Sequence, residues 1–111
     1  MRIETSPTYW VRIYMTGSIE VAKQTLRRLA LPGGLCVSVE PTCFIYAGGE
    51  ESGFVVGLVN YPRFPAESAA QINERAQEIL HALLMDTYQH SGLLMTSTET
   101  TWISRRDELG R

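Results

Sequence analysis

Apolar and polar residues alternate from Thr8 to Thr16: Tyr9, Val11, Ile13 and Met15 fall on one side, and Trp10, Arg12, Tyr14 and Thr16 on the other. A period of two predicts a β-strand. Thr16-Gly17-Ser18 breaks it. Ser18 is placed to cap a helix, and Glu20 falls in the first turn, where the helix dipole favours a carboxylate. Ile19, Ala22, Leu26 and Leu29 then recur at helical spacing, with Glu20, Lys23, Gln24, Arg27 and Arg28 on the wet side. This predicts a helix of about three turns. Pro32-Gly33-Gly34 is expected to end it.

A second extended stretch runs from Leu35 to Ala47, with Pro41 marking a bulge or an edge position because it has no N–H. Gly48 to Gly53 reads as a hairpin loop, and Phe54 to Asn60 as the returning strand. That strand has no polar side chain between Phe54 and Val59, which suggests cover on both faces. Tyr61-Pro62-Arg63-Phe64-Pro65 is a connector stiffened by two prolines. From Ala66 to about His90, Ala69, Ile72, Ala76, Ile79, Leu80, Leu83 and Leu84 form a helical stripe that Ser91-Gly92 is expected to stop. Leu93 to about Ile103 reads as the last strand. The order β-α-β-β-α-β predicts a ferredoxin-like α+β sandwich, a four-stranded antiparallel sheet with two helices on one face. One domain over residues 1–111 is expected, with 1–7 and 104–111 as flexible ends.

The composition fits that picture: 44% of the 111 residues are hydrophobic and 20% charged, close to the globular average. A net charge of -2 argues against a protein that grips nucleic-acid backbone. No stretch approaches the ~20 apolar residues of a membrane span, and the start MRIETSPTYW has no apolar signal core. Cys36 and Cys43 lie in one extended stretch, about 23 Å apart at ~3.3 Å per residue, beyond disulfide reach unless the chain turns sharply between them. Both are expected as reduced thiols in a cytoplasmic protein, each a small buried hydrophobe.

The segment FIYAGGEESGFVVGLVNYPRFP, residues 44–65, resembles small uncharacterised proteins encoded in bacterial genomes and prophages. The size, the hairpin and the long second helix are also similar to CutA-type trimeric proteins. The first resemblance implies a phage or prophage setting and carries no established activity. The second carries no metal role onto any residue of this chain.

The chemistry is sought on the sheet face without helices, which by parity carries Trp10, Arg12, Tyr14, Ser38 and Glu40. Aromatic faces offer stacking area, and the Arg12 fork suits a carboxylate or phosphate. The same residue types are enriched where subunits meet. Tyr61, Arg63 and Phe64 on the stiff connector form a second candidate cluster, with Phe64 as a staple for the second helix in the structural alternative. The middle strand lacks the basic and glycine-aromatic pattern of an RNA-binding sheet, so nucleic acid is not expected as a partner. Gly48 to Gly53 has no lysine and carries Glu50 and Glu51, which excludes a phosphate loop. His81 and His90 are nine apart, whereas metal pairs on a helix use three or four, so no metal and no cofactor is expected. No catalytic set is recognisable from spacing. The first reading is therefore a non-enzymatic homo-oligomer that binds a small molecule or a protein partner through the helix-free face. The alternative is a cofactor-independent isomerase or lyase with its site at that face or between subunits. There Arg12 would bind an anionic substrate, and Glu40 or Tyr14 would move a proton.

Overall fold

A computed structural model describes residues 1–33, 36–60 and 68–106. The elements run β1 (Trp10–Thr16), α1 (Ile19–Gly33), β2 (Ser38–Tyr46), β3 (Gly49–Val59), α2 (Ala69–Asp86), β4 (Ser91–Thr96) and β5 (Thr100–Ser104). The strands form one antiparallel sheet in the order β2-β3-β1-β4-β5. The fold is α+β with two helices, but the sheet has five strands rather than the expected four.

The alternation read along β1 decides the layering. Val11, Ile13 and Met15 are buried, whereas Trp10 and Tyr14 are half-buried and Arg12 is exposed. In β3, Phe54, Val56 and Leu58 take the buried side, opposite Met15, Ile13 and Val11. Ile72, Ala76, Ile79, Leu80, Leu83 and Leu84 of α2 and Ala22 and Leu26 of α1 close over them in a single core. Each large side chain buried this way contributes about 1.5–3 kcal/mol. On the other face of β3, Val55 and Gly57 are half-buried and Val59 is exposed, and no helix among the described residues lies over it.

Several boundaries differ from the sequence expectation, each for a local reason. Helix α1 continues through Pro32 to Gly33 and is 15 residues long. Helix α2 has 18 residues and is shorter than expected at both ends. Ser68 caps it by accepting from the Gln71 N–H at 3.1 Å, while the Gln71 side chain accepts from the Ser68 N–H at 2.8 Å. At the other end Tyr88 takes a positive φ of 57°, and the Gln89 N–H donates back to the Leu84 carbonyl at 3.1 Å. The chain therefore leaves the helix at a left-handed residue before reaching Ser91 and Gly92. Arg105, just past β5, closes the same end by donating to the carbonyls of Leu84 and Gln89, each at 3.3 Å.

The expected loop from Gly48 to Gly53 is mostly strand. Only Ala47 and Gly48 form the turn, with Gly48 at φ 93°, and Glu50, Glu51 and Ser52 pair with Ile45, Phe44 and Cys43. The last expected strand is a hairpin. The Thr96 hydroxyl accepts from the N–H groups of Thr98 and Glu99 at 3.3 and 3.0 Å and folds the chain back. Pro41 keeps its register opposite Phe54 on an edge strand, which resolves the choice between edge and bulge. No helix among the described residues is long and apolar enough to cross a membrane.

The two helices are tied at the end of α2. Asp86 Oδ2 accepts from the buried Thr25 hydroxyl at 2.6 Å and from Arg28 at 3.0 Å. The Thr25 bond, with the smaller help of Arg28, outweighs desolvation and holds the Asp86 carboxyl below its usual pKa. Stability drawn from such a group is full above the unfolded-state value and is lost as pH falls through the depressed folded-state value. Asp86→Asn should cost roughly 1 kcal/mol at pH 7, allowing for solvent screening of the Arg28 pair. In urea titrations the gap to wild type should close below about pH 4. A gap that stays constant down to pH 2.5 would show that the charge is not its source.

Gly53 lies opposite Thr16, and a Cβ there would run into the Met15 carbonyl and come within 2.6 Å of the Phe44 ring. Gly53→Ala should therefore destabilise by about 3 kcal/mol in the same titrations, with backbone as the obstacle. A loss under ~0.5 kcal/mol would mean that the two strands separate there at little cost.

Candidate functional site

Residues opposite one another on neighbouring strands share a face. The ladder registers therefore lay out the helix-free face in rows. One row is Ser38, Gly57, Arg12 and Met95 across β2, β3, β1 and β4. The next is Glu40, Val55, Tyr14, Leu93 and Trp102. On the other side of the first row, Trp10 stands opposite Val59.

A cavity of about 310 Å³ opens on this face over β2, β3 and β1. It is lined by Trp10, Arg12, Ser38, Glu40, Val55 and Gly57, among others. That is the low end of the volume range of small-molecule sites. Its floor is the backbone of β3 at Gly57, where an added Cβ would meet Ser38 Oγ at 2.7 Å. A glycine inside a strand weakens it by roughly 0.5–1 kcal/mol. Here no positive φ and no break of register calls for one. What its missing side chain supplies is depth.

The charges of the cavity are held apart. The Arg12 guanidinium carbon lies 4.9 Å from the centroid of the Trp10 ring, so Arg12 leans toward Trp10, away from the Glu40 row. Among the described residues Arg12 and Glu40 make no ion pair, and Ser38 makes no side-chain hydrogen bond. A fork-shaped cation, a hydroxyl and a carboxylate thus face one hollow with their hydrogen-bonding capacity uncommitted.

The structure brings together four of the residues that the sequence placed on this face, Trp10, Arg12, Ser38 and Glu40. Tyr14 shares the face but stands beside the cavity rather than in its lining. Tyr61, Arg63 and Phe64 lie outside the described residues. Gly57 was not singled out, although a lone glycine inside the apolar run Phe54 to Val59 is the signal of a close approach. The two cysteines are exposed, not buried as expected. The Cys43 thiol donates to Glu50 Oε2 at 3.0 Å, and that bond, with slight desolvation, raises its pKa. A thiol held protonated is a poor nucleophile. Tyr46 is raised in the same way by its 3.0 Å bond to Glu51, with lesser help from desolvation and the Glu51 charge. Among the described residues no three His, Cys, Asp or Glu side chains gather to hold a metal. A second hollow, of about 440 Å³, lies on the helix side between α1 and β2, lined by Lys23, Arg27 and Cys36 with apolar neighbours. It has no acidic partner and none of the candidate residues.

No protein-family model matches the chain, and no curated protein does. Two solved structures share its fold. One is a phage SAM lyase in the apo state, with a TM-score of 0.63 and 15% identity over 89% of this chain and 90% of that one. The other is a phage SAM lyase in complex with S-methyl-5'-thioadenosine, with a TM-score of 0.65 and 17% identity over 94% of this chain and 95% of that one. The likeness is one of fold.

Proposed function

We propose that the chain is a small, phage-type lyase that acts on a sulfonium nucleoside of the S-adenosylmethionine class at the cavity of its helix-free face. This is the second of the two readings of the sequence. The observation that carries it is the cavity that joins Arg12, Ser38 and Glu40 over Gly57. A fold shared with SAM lyases over about nine-tenths of both chains supports it. On this reading the strand order is a ferredoxin-like core with β5 added at the edge.

The chemistry asks little of the protein. The leaving sulfur already carries the positive charge, so breaking its C–S bond sends the electron pair to sulfur and releases a neutral thioether. The carbon that sulfur leaves completes its valence without water, by bonding to an oxygen of the fragment's own carboxylate, which closes a ring, or by forming a double bond from the C–H pair of the neighbouring carbon as that proton passes to Glu40. The protein's part is to bind both ends of the substrate and exclude solvent. No cofactor enters.

The other half of the same face supports assembly. Leu93 and Met95 are half-buried there and Trp102 is 64% exposed. A second copy of the chain covering β4 and β5 would leave the cavity over β2, β3 and β1 at its margin. Cytoplasmic location and homo-oligomeric state belong to this reading.

Incubation of the purified protein with S-adenosylmethionine should release S-methyl-5'-thioadenosine, seen by liquid chromatography, and Glu40→Gln should slow release at least tenfold. Proton NMR of the second product tells ring closure from proton loss. No release above the buffer rate would remove the enzymatic reading and leave the non-enzymatic binding protein in its place. In light scattering, Trp102→Glu should shift an oligomeric wild type toward monomer, since aromatic anchors dominate interfaces. A wild type that is monomeric at every concentration would count against assembly.

A further inference from the structure

We infer that the cavity is a clamp for a molecule with a carboxylate at one end and a positive charge two residue-lengths away. In it Ser38, Gly57 and Arg12 hold the anion, and Glu40 faces the cation. The inference rests on the proposed site and says how a substrate lies in it.

The register gives the geometry. Ser38 and Arg12 flank Gly57 on either side, each one strand away, about 4.8 Å. The missing Cβ of Gly57 leaves room for a flat group to lie on the β3 backbone between a hydroxyl donor and a guanidinium fork. Trp10 holds that fork in place by stacking, which spares some of the rotamer entropy that Arg12 would otherwise lose on binding. The Glu40 row lies two residues along the strands, about 6.8 Å at ~3.4 Å per residue. A carboxylate ligand placed beside Glu40 would be repelled, and one placed beside Arg12 attracted. The order of charges in the cavity therefore fixes the direction of the ligand: anion toward Trp10 and Arg12, cation toward Val55 and Glu40. A sulfonium separated from a carboxylate by three carbons spans that interval when extended, the bound pose from which the carboxylate must swing off Arg12 before it can close a ring. The apolar surface of Val55 and Tyr14 beyond it then receives the nucleoside.

Calorimetry with four stable probes tests the clamp. S-adenosylhomocysteine carries the carboxylate and S-methyl-5'-thioadenosine lacks it. S-methylmethionine carries carboxylate and sulfonium without a nucleoside, and methionine lacks the sulfonium. Arg12→Gln should weaken S-adenosylhomocysteine at least tenfold and leave S-methyl-5'-thioadenosine within twofold, and Ser38→Ala should act the same way by about threefold. Glu40→Gln should weaken S-methylmethionine at least fivefold and methionine by less than twofold. The three side chains stand on an exposed face, and unchanged melting temperatures will confirm that the variants fold. Equal losses for all probes, or none, would overturn the clamp while the lyase reading stands on the release of thioether. If the nucleoside probes fail to bind and no thioether is released, that reading falls. S-methylmethionine binding that depends on Arg12 and Glu40 would then still uphold the clamp, and its failure to bind would end both.

Discussion

One-sided burial is the constraint on which everything else depends. The helices have one apolar stripe each and the sheet has one side to give them. Val11, Ile13, Met15, Phe54, Val56 and Leu58 fill that side and are almost wholly removed from water. Because side chains alternate along a strand, committing these residues inward commits Trp10, Arg12 and Tyr14 outward. The helix-free face is therefore a direct consequence of core formation. A slip of one residue in β1 would bury Arg12 and expose Ile13, which is why the register is held so strictly.

That outward face divides into two halves of different character. Over β4 and β5 it carries Leu93, Met95 and the exposed Trp102 among Ser91, Thr100 and Ser104. Over β2, β3 and β1 it is hollow and charged, with Gly57 at the bottom and Arg12, Ser38 and Glu40 around it. The division follows from residue size. A large side chain at Gly57 would fill the hollow and make the face continuous. With none there, the polar groups on the flanking strands look into a common space, and a face that could serve only for packing gains room for a ligand.

The polar interactions elsewhere hold the ends of elements. Asp86 joins α1 to α2 through Thr25 and Arg28, the Ser68 and Gln71 pair starts α2, and Arg105 finishes it. The hairpin of β2 and β3 is pinned along its exposed length by Cys43 with Glu50 and Tyr46 with Glu51. These carboxylates are occupied in structure, and the thiol that Glu50 holds protonated is a poor nucleophile.

How much of this could be read from the chain varies by element. The period of two in Trp10–Thr16 and the period of 3.6 in the helices reveal the two layers, because burial contrast along an element is a local property. Thus Trp10, Arg12 and Glu40 were legible as residues of one face. Where contrast is missing the reading failed. Glu50, Glu51 and Ser52 look like a loop because that part of the hairpin is wet on every side. Thr96 to Glu99 hides a turn because a hydroxyl closes it, with no glycine to mark it. The helix end at Tyr88 is set by back-bonds to Leu83 and Leu84 rather than by a breaker residue. Pattern alone thus determined an α+β domain with one sheet face free of helices. Only the tertiary structure decided the pairing of five strands, and with it the row that sets Gly57 between Ser38 and Arg12. That row joins residues from three separate strands, and their alignment depends on long-range register that no local period records.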